Sequence, residues 1–550
     1  MKNFYLQLIS KYSYVSGNTF LNKLTSFICH CSTTCHQLTV ICLLSLFMVN
    51  HANAILSNNN NENTLLTSPL LEVSMSKQPS TADKILTLVQ IKSDLSLVQS
   101  AYSKIHPGYL RYADANSLNE AWQSIIEQAE ANNGMTLGNF YLAIQKVLVK
   151  IRCDHTKVNL PNALKDERDS DAYYLPIKWE WLENRAIITK SDPGQQFERL
   201  DEIVSVDGKS IQRLVDDVLA YIPYDGNANW SANTGVASSL EFKGGAVDHF
   251  GSLLWGYKPK ATVEIKRKDG SLSTIVVNRI NYKQWEALAI DKSAMNFKDA
   301  VIFERIGDDI AYVRVDTFVN YRTPVDPSDI YDPIFKAIKK EARKIVIIDL
   351  RKNGGGSSDA SHGLFANLIQ KPTEFHTDMQ MSTLNHDEFV DHITTWNKRA
   401  INPNRLGFRK NDDGTYSLRS LFSDDLGEIK PAKYAFEGHV IALTSSSNSS
   451  GSTNLLSILK SNREITLIGE RSGGNPAGPT AGVLFYLTLP ESDISARIPV
   501  FKYTNNVNNI EDGSGLVPDI YAPKTVNSLM QESDPAYEKA IKHAKELIHL

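Results

Sequence analysis

Ile345-Val346-Ile347-Ile348-Asp349-Leu350-Arg351-Lys352-Asn353-Gly354-Gly355-Gly356 is the stretch whose reading decides the fold. Its opening run is apolar and β-branched without a polar alternation, the pattern of a strand covered on both faces. Three glycines follow, and without a Cβ the backbone N–H groups can approach a ligand closely. Such a turn serves as an oxyanion hole or as a phosphate cradle. A phosphate loop needs Gly-Lys-Ser/Thr next, and Ser357-Ser358-Asp359 stands there instead. Taken alone, the glycines are equally a tight turn into a helix.

Working outward, Ile310–Val315 reads as a strand and Pro333–Ala342 as an amphipathic helix. His439–Leu443 is a second buried strand, followed by a serine-rich loop, a helix through Leu455–Leu459 and the strand Ile465–Ile468. Strand, turn and helix in alternation imply an α/β layer with its site at the carboxyl ends of the strands. The loop from Thr444 to Thr453 holds Ser445, Ser446, Ser447, Ser449, Ser450 and Ser452. A serine at a strand-to-helix junction gains from the helix N-terminus, which stabilises nearby negative charge. The same position suits a plain N-cap. A catalytic hydroxyl also needs a base, most often His. Cys153-Asp154-His155-Thr156, after the helix Phe140–Val149, offers one, and His106 before Pro107 is a competitor whose neighbour suggests a turn role.

Upstream the texture changes twice. From Tyr173 to Ile280 short β-like runs are separated by turns at Asp207-Gly208 and Lys268-Asp269-Gly270, with 222–255 read as a long Gly-, Asn- and Ser-rich loop. From Asp83 to Val149 apolar residues recur at three- and four-residue spacing, as in Ile85, Leu88, Ile91 and Leu95, and predict helices broken at Pro107-Gly108 and Asn132-Asn133-Gly134. Residues 55–80 are polar and lack such periodicity, as a flexible linker does. Leu38–Val49 is an apolar run of signal-peptide length, with Lys2, Lys11 and Lys23 upstream and the small-x-small pattern Ala52-Asn53-Ala54 downstream. We expect cleavage after Ala54 and a product in the periplasm or outside the cell.

Cys29, Cys31, Cys35 and Cys42 lie in that leader, beside His30 and His36, at a spacing that fits no common zinc pattern. Cleavage would leave only Cys153, so no internal disulfide, metal or cofactor is expected. A net charge of −4 with no basic run excludes a nucleic-acid footprint. No other run reaches transmembrane length. At 550 residues the chain exceeds one ordinary domain. The divisions are a signal peptide at 1–54, a linker at 55–80, a helical domain at 81–170, a β-rich module at 171–285 and an α/β core at 300–545.

Taken together, these motifs resemble the tail-specific, or C-terminal processing, serine peptidase family, and favour its branch containing the tricorn core protease and the chlamydial protease-like activity factor. Asp349-Leu350-Arg351-x-Asn353-x-Gly355-Gly356 is similar to the motif that precedes the family's nucleophile. Ser450 stands at the family's distance from Leu467-Ile468-Gly469-Glu470, and Gly513-Ser514-Gly515-Leu516-Val517-Pro518-Asp519 is similar to its closing signature. Leu200 to Lys209 resembles part of a PDZ-like insert.

The resemblance implies an α+β multidomain protein with a helical N-terminal domain, a PDZ-like insert and a crotonase- or ClpP-like α/β peptidase core. Members with a Ser–Lys dyad carry a Lys where this chain has Gly473-Gly474-Asn475, and Asn is no general base. The tricorn-like branch implies Ser450 as nucleophile, His155 as base and Asp512 as the acid, with Glu511 as fallback. Gly355 and Gly451 would then supply the oxyanion hole, with Asp349 and Arg351 bracing the glycine turn. The expected activity is that of an exported serine endopeptidase acting on polypeptides through an acyl-enzyme. The alternatives are an inactive polypeptide-binding relative and a non-proteolytic enzyme of crotonase-like architecture. The PDZ-like module could dock a peptide by strand addition, although no carboxylate-binding Gly loop is visible in 173–200.

Overall fold

All five residues of Ile345–Asp349 are buried, and their side chains divide between two cores. Val346 and Ile348 join one cluster, whereas Ile345 and Ile347 join another on the opposite face. That two-residue alternation is what a central strand with both faces covered requires. The computed structural model describes residues 80–239, 241–289 and 296–549. The expected leader with its four cysteines, and all but Ser80 of the expected linker, lie outside the described residues.

Helices α1 (Leu88–Ile105), α2 (Ala115–Ala131) and α3 (Leu137–Val149) come first. Thr87 starts α1 with a capping box shared with Gln90, and Pro107-Gly108 follows its end. Strand β1 (Lys157–Asn159) leads into an antiparallel sheet of β2 (Ile177–Leu182), β3 (Arg185–Ser191), β4 (Glu202–Val206), β5 (Lys260–Lys266) and β6 (Leu272–Asn278). Between β4 and β5 lie α4 (Ile211–Leu219) and α5 (Ala246–Trp255). The expected long loop at 222–255 is therefore corrected: a 3-10 turn at Asn229–Gly235 and the whole of α5 fall inside it. Asp207 and Gly208, at φ 51° and 77°, form the tight turn the Asp-Gly pair predicts.

The third region opens with β7 (Val301–Ile306) and β8 (Ile310–Val315), then α6 (Pro327–Lys340), β9 (Ile345–Asp349) and α7 (Ser358–Leu368). Helix α6 starts six residues before the expected Pro333, because Asp326 caps it and Pro327 takes the first turn, where a missing N–H costs nothing. Strand β10 (His376–Met381) precedes β11 (His439–Thr444), α8 (Ser450–Asn462) and β12 (Ile465–Gly469). A long hairpin of β13 (Thr480–Thr488) and β14 (Ser495–Asn505), then β15 (Ile520–Tyr521) and α9 (Pro535–Ile548), complete the chain.

The central sheet runs β7-β8-β9-β11-β12-β15, parallel throughout except where β7 meets β8. Asp349 is level with Leu443, and Thr444 with Gly469, so three strands end side by side. Helices α6, α7 and α8 cover one face and α9 the other. Hairpin β13–β14 heads a second sheet, to which β10 and β1 attach through β14. Its apolar face shares one core with α1, α2, α3 and the β2–β6 module. The hairpin is thus continuous in sequence with the α/β region but packed into the core of the N-terminal half.

Candidate active site

Two strand ends, β9 and β11, build one wall of the site. After β9, Arg351 folds back on Asp349, with Nη2 and Nε at 2.6 and 3.0 Å from its two carboxylate oxygens, while Tyr312 donates to Oδ2 at 2.7 Å. Arg351 also reaches Asp534 at 2.6 Å. This pair braces the start of the glycine turn, as expected. The turn is then stitched to the serine loop: Asn448 Nδ2 donates to the carbonyls of Leu350 and Asn353 at 2.6 and 3.0 Å, and Ser452 Oγ donates to Asn353 O at 2.6 Å. Asn448 and Ser452 are fully buried, so these bonds fix the two loops rather than exchange with water.

Ser450 is the first residue of α8 and has φ 48°, a left-handed conformation that a non-glycine residue adopts at a cost. It is not a plain N-cap: that place is taken by Ser449, whose side chain makes no capping bond because its Oγ donates to the carboxylate of Asp154. A Cβ built on Gly355, at φ 106°, would stand 2.9 Å from both Ser450 Cβ and Gly451 N. Only glycine lets the turn come this near the serine. The Gly451 N–H lies in the first turn of α8, where amides have no carbonyl one turn back. Gly355 needs correction as an oxyanion donor, because its N–H is already given to Asn353 Oδ1 at 2.8 Å.

The opposite wall is the loop after α3. Arg152, at φ 59°, turns the chain after α3, and Asp154 then meets Ser449 of the serine loop. Asp225 Oδ1 accepts the Asp154 N–H at 3.0 Å, and Arg497 of β14 donates to His155 O at 2.7 Å. His155 Nδ1 lies 2.5 Å from Asp154 Oδ1. Burial alone would depress the pKa of His155, but the Asp154 carboxylate outweighs it and raises the imidazole to about 10. Burial and the charge of Asp154 push Asp225 up to about 7.

Asp512 is the second correction. Its carboxylate is held by Arg111 at 2.6 and 3.0 Å, by Tyr112 at 2.5 Å and by Asn475 Nδ2 at 2.7 Å. Burial would raise its pKa; Tyr112, Arg111 and Asn475 together hold it below the usual carboxylate range. The acid against His155 is Asp154, and Glu511 is solvent-exposed. Asp154 stood beside His155 in the sequence, but nothing local marked it as the partner. Asp225 lay in the segment read as loop and carried no signal. His106 is buried, with Nδ1 accepting from Gly108 N at 3.0 Å and Nε2 2.9 Å from Thr156 Oγ1. Burial drives its pKa down to about 3, so it stays neutral as a structural group.

A parallel α/β sheet with a serine at a helix N-terminus beside a glycine turn is the build of a serine-type hydrolase. Residues 309–522 match peptidase family S41, and residues 171–286 match a PDZ domain. Residues 309–522 are a peptidase domain of family S41. Among solved structures it is similar to mature CPAF, with 16% identity and a TM-score of 0.57 over 84% of this chain and 97% of that one. Mature CPAF complexed with lactacystin gives 15% and 0.56 over 84% and 98%. At these identities the likeness is one of fold. No curated protein matches the chain by sequence.

Proposed function

We propose that this peptidase is an exported serine endopeptidase in which Ser450 attacks the scissile carbonyl, the neutral His155 imidazole takes its proton, and Asp154 orients the ring and stabilises the imidazolium that forms. The observation that carries this reading is the hydrogen bond from Ser449, the immediate neighbour of Ser450, to the carboxylate paired with His155. It ties the base loop to the nucleophile turn. With Nδ1 against Asp154, Nε2 is the nitrogen left to accept the hydroxyl proton and later return it to the leaving amine. The tetrahedral oxyanion would be met by Gly451 N–H and, in place of Gly355, by Gly356 N–H, one residue further along the turn. Asp512, through Asn475 and Arg111, holds the walls together rather than the imidazole. The sheet order and the helices on both faces support a crotonase- or ClpP-like core, and the Ser-His-acid set supports the tricorn-like branch.

A serine-directed fluorophosphonate should label the purified chain at Ser450, and Ser450→Ala should lower kcat on an unstructured protein by roughly 10⁶-fold. A chain that takes no label and cleaves nothing would instead be a polypeptide-binding relative. Export is supported by Leu38–Val49 and Ala52-Asn53-Ala54. N-terminal sequencing of the exported product should begin at Ile55, and an intact Met1 would sink that part.

A further inference from the structure

Sequence alone leads to no expectation of a metal in the mature chain, yet folding collects four ligand types at one point. Cys153 Sγ, a carboxylate oxygen of Asp154, a ring nitrogen of His155 and a carboxylate oxygen of Asp225 all lie within 4.8 Å of one another. Cys153 and Asp225 are 4% and 3% exposed, while the side chains of His155 and Asp154 are 18% and 24% exposed and leave a path from solvent. His155 Nδ1 and Asp154 Oδ1 are buried atoms without a properly aligned hydrogen-bond partner.

We propose that Cys153, Asp154, His155 and Asp225 form an inhibitory site for a borderline-soft divalent cation, Zn²⁺ being the best fit.

The chemistry of the donors selects the ion. One thiolate, one imidazole and two carboxylates suit Zn²⁺, whereas Mg²⁺ and Ca²⁺ take oxygen sets. Around a tetrahedral Zn²⁺ with bonds of about 2.0–2.3 Å, ligand atoms stand roughly 3.3–3.8 Å apart. The cluster therefore closes on an ion by side-chain shifts of about an ångström. Its backbone is already restrained by Asp225 accepting from Asp154 N and by Arg497 donating to His155 O. Binding displaces the Cys153 thiol proton and one proton of the charged His155 imidazolium to solvent, and the ion's bonds to the Cys153 sulfur, the His155 nitrogen and the carboxylates replace the His155–Asp154 pair. His155 is then a ligand and no longer accepts the Ser450 proton. The inhibitory half rests on the function proposed above; the binding half does not.

The test uses the purified full chain in three measurements: calorimetric titration with ZnCl₂, absorbance titration with CoCl₂, and peptidase assay with added ZnCl₂ followed by EDTA. About one ion per chain should bind, Co²⁺ should show a thiolate charge-transfer band, and Zn²⁺ should abolish cleavage until EDTA restores it. Cys153 donates to Thr480 O and lies within hydrogen-bond reach of the His155 side chain, so Cys153→Ser is compared with its own metal-free rate; it should lose the Co²⁺ band and raise the inhibitory Zn²⁺ concentration roughly tenfold or more. An unfolded Cys153→Ser chain is excluded by its metal-free rate, and Cys153→Ala repeats the comparison. No calorimetric binding, no thiolate band, or equal Zn²⁺ sensitivity in Cys153→Ser overturns the site. Stoichiometric binding with the band in a chain that cleaves nothing upholds the site and overturns the proposed function instead.

Discussion

The two walls of the candidate site are built in opposite ways. The nucleophile wall is the end of one sheet: Asp349 and Leu443 are level in register, and the turns beyond them are stitched by Asn448 and Ser452. The base wall is a short loop with no sheet of its own. It is held by Asp225 from the β-rich module, by Arg497 from β14 and by Ser449 from the opposite wall. A site of this kind keeps its nucleophile geometry through local packing, while the base depends on long-range contacts. The first half should tolerate distant change, and the second should not.

The comparison breaks most readily at the acid. Asp154→Asn should lower kcat by about 10⁴-fold, as loss of the orienting carboxylate does in related Ser-His-acid sites, whereas Asp512→Asn should cost less than about tenfold. Equal losses would return the third role to Asp512. Proton linkage sharpens the same pair. Because Asp154 raises the His155 pKa to about 10, neutral imidazole is scarce at low pH and kcat/KM should climb with pH through and beyond the ordinary His range. In the residual activity of Asp154→Asn that acid limb should move to lower pH; an unmoved limb would mean that another group sets it.

On the nucleophile wall, Gly355→Ala adds a Cβ 2.9 Å from Ser450 Cβ in a left-handed conformation, and should lower kcat roughly 10²-fold by displacing the serine. Wild-type turnover in that variant would show the wall to be looser than its stitching suggests. The smallest effect belongs to His106. Its folded pKa of about 3 lies below the unfolded value near 6.5, so the unfolded chain binds the proton first. Stability from this group is present above about pH 6.5 and is lost as pH falls toward 3. His106→Gln should leave kcat within about threefold, cost about 1 kcal/mol at neutral pH, and flatten the acid side of a Tm–pH curve. A large fall in kcat would transfer the base role to His106.

What the sequence made legible follows the same division. The β-branched run 345–349, its glycines and the strand-to-helix junction at Ser450 are local patterns, and local pattern fixes a parallel strand and its turn. The PDZ domain was readable from its turns, and the family from ordered motifs. The left-handed φ of Ser450 was not readable, since a serine at a helix start looks like a cap. Helix α5 was hidden because it follows two glycines at positive φ in a Gly- and Asn-rich stretch. The choice between Asp154 and Asp512 depended on where Arg111, Tyr112 and Asn475 fall in three dimensions, and no spacing encodes that. Gly355 had the right residue type, but its amide was claimed by Asn353 two residues earlier.

Arg497 lies about 340 residues after His155, and Ser450 about 300 after it. A ribosome that has finished the helical region and the β-rich module has therefore made the imidazole but neither the hydroxyl it serves nor the guanidinium that holds its loop. On the proposed roles, the candidate site is complete only once residue 497 has been made. A product that stops short of Ser450 lacks the proposed nucleophile and, on those roles, should cleave nothing.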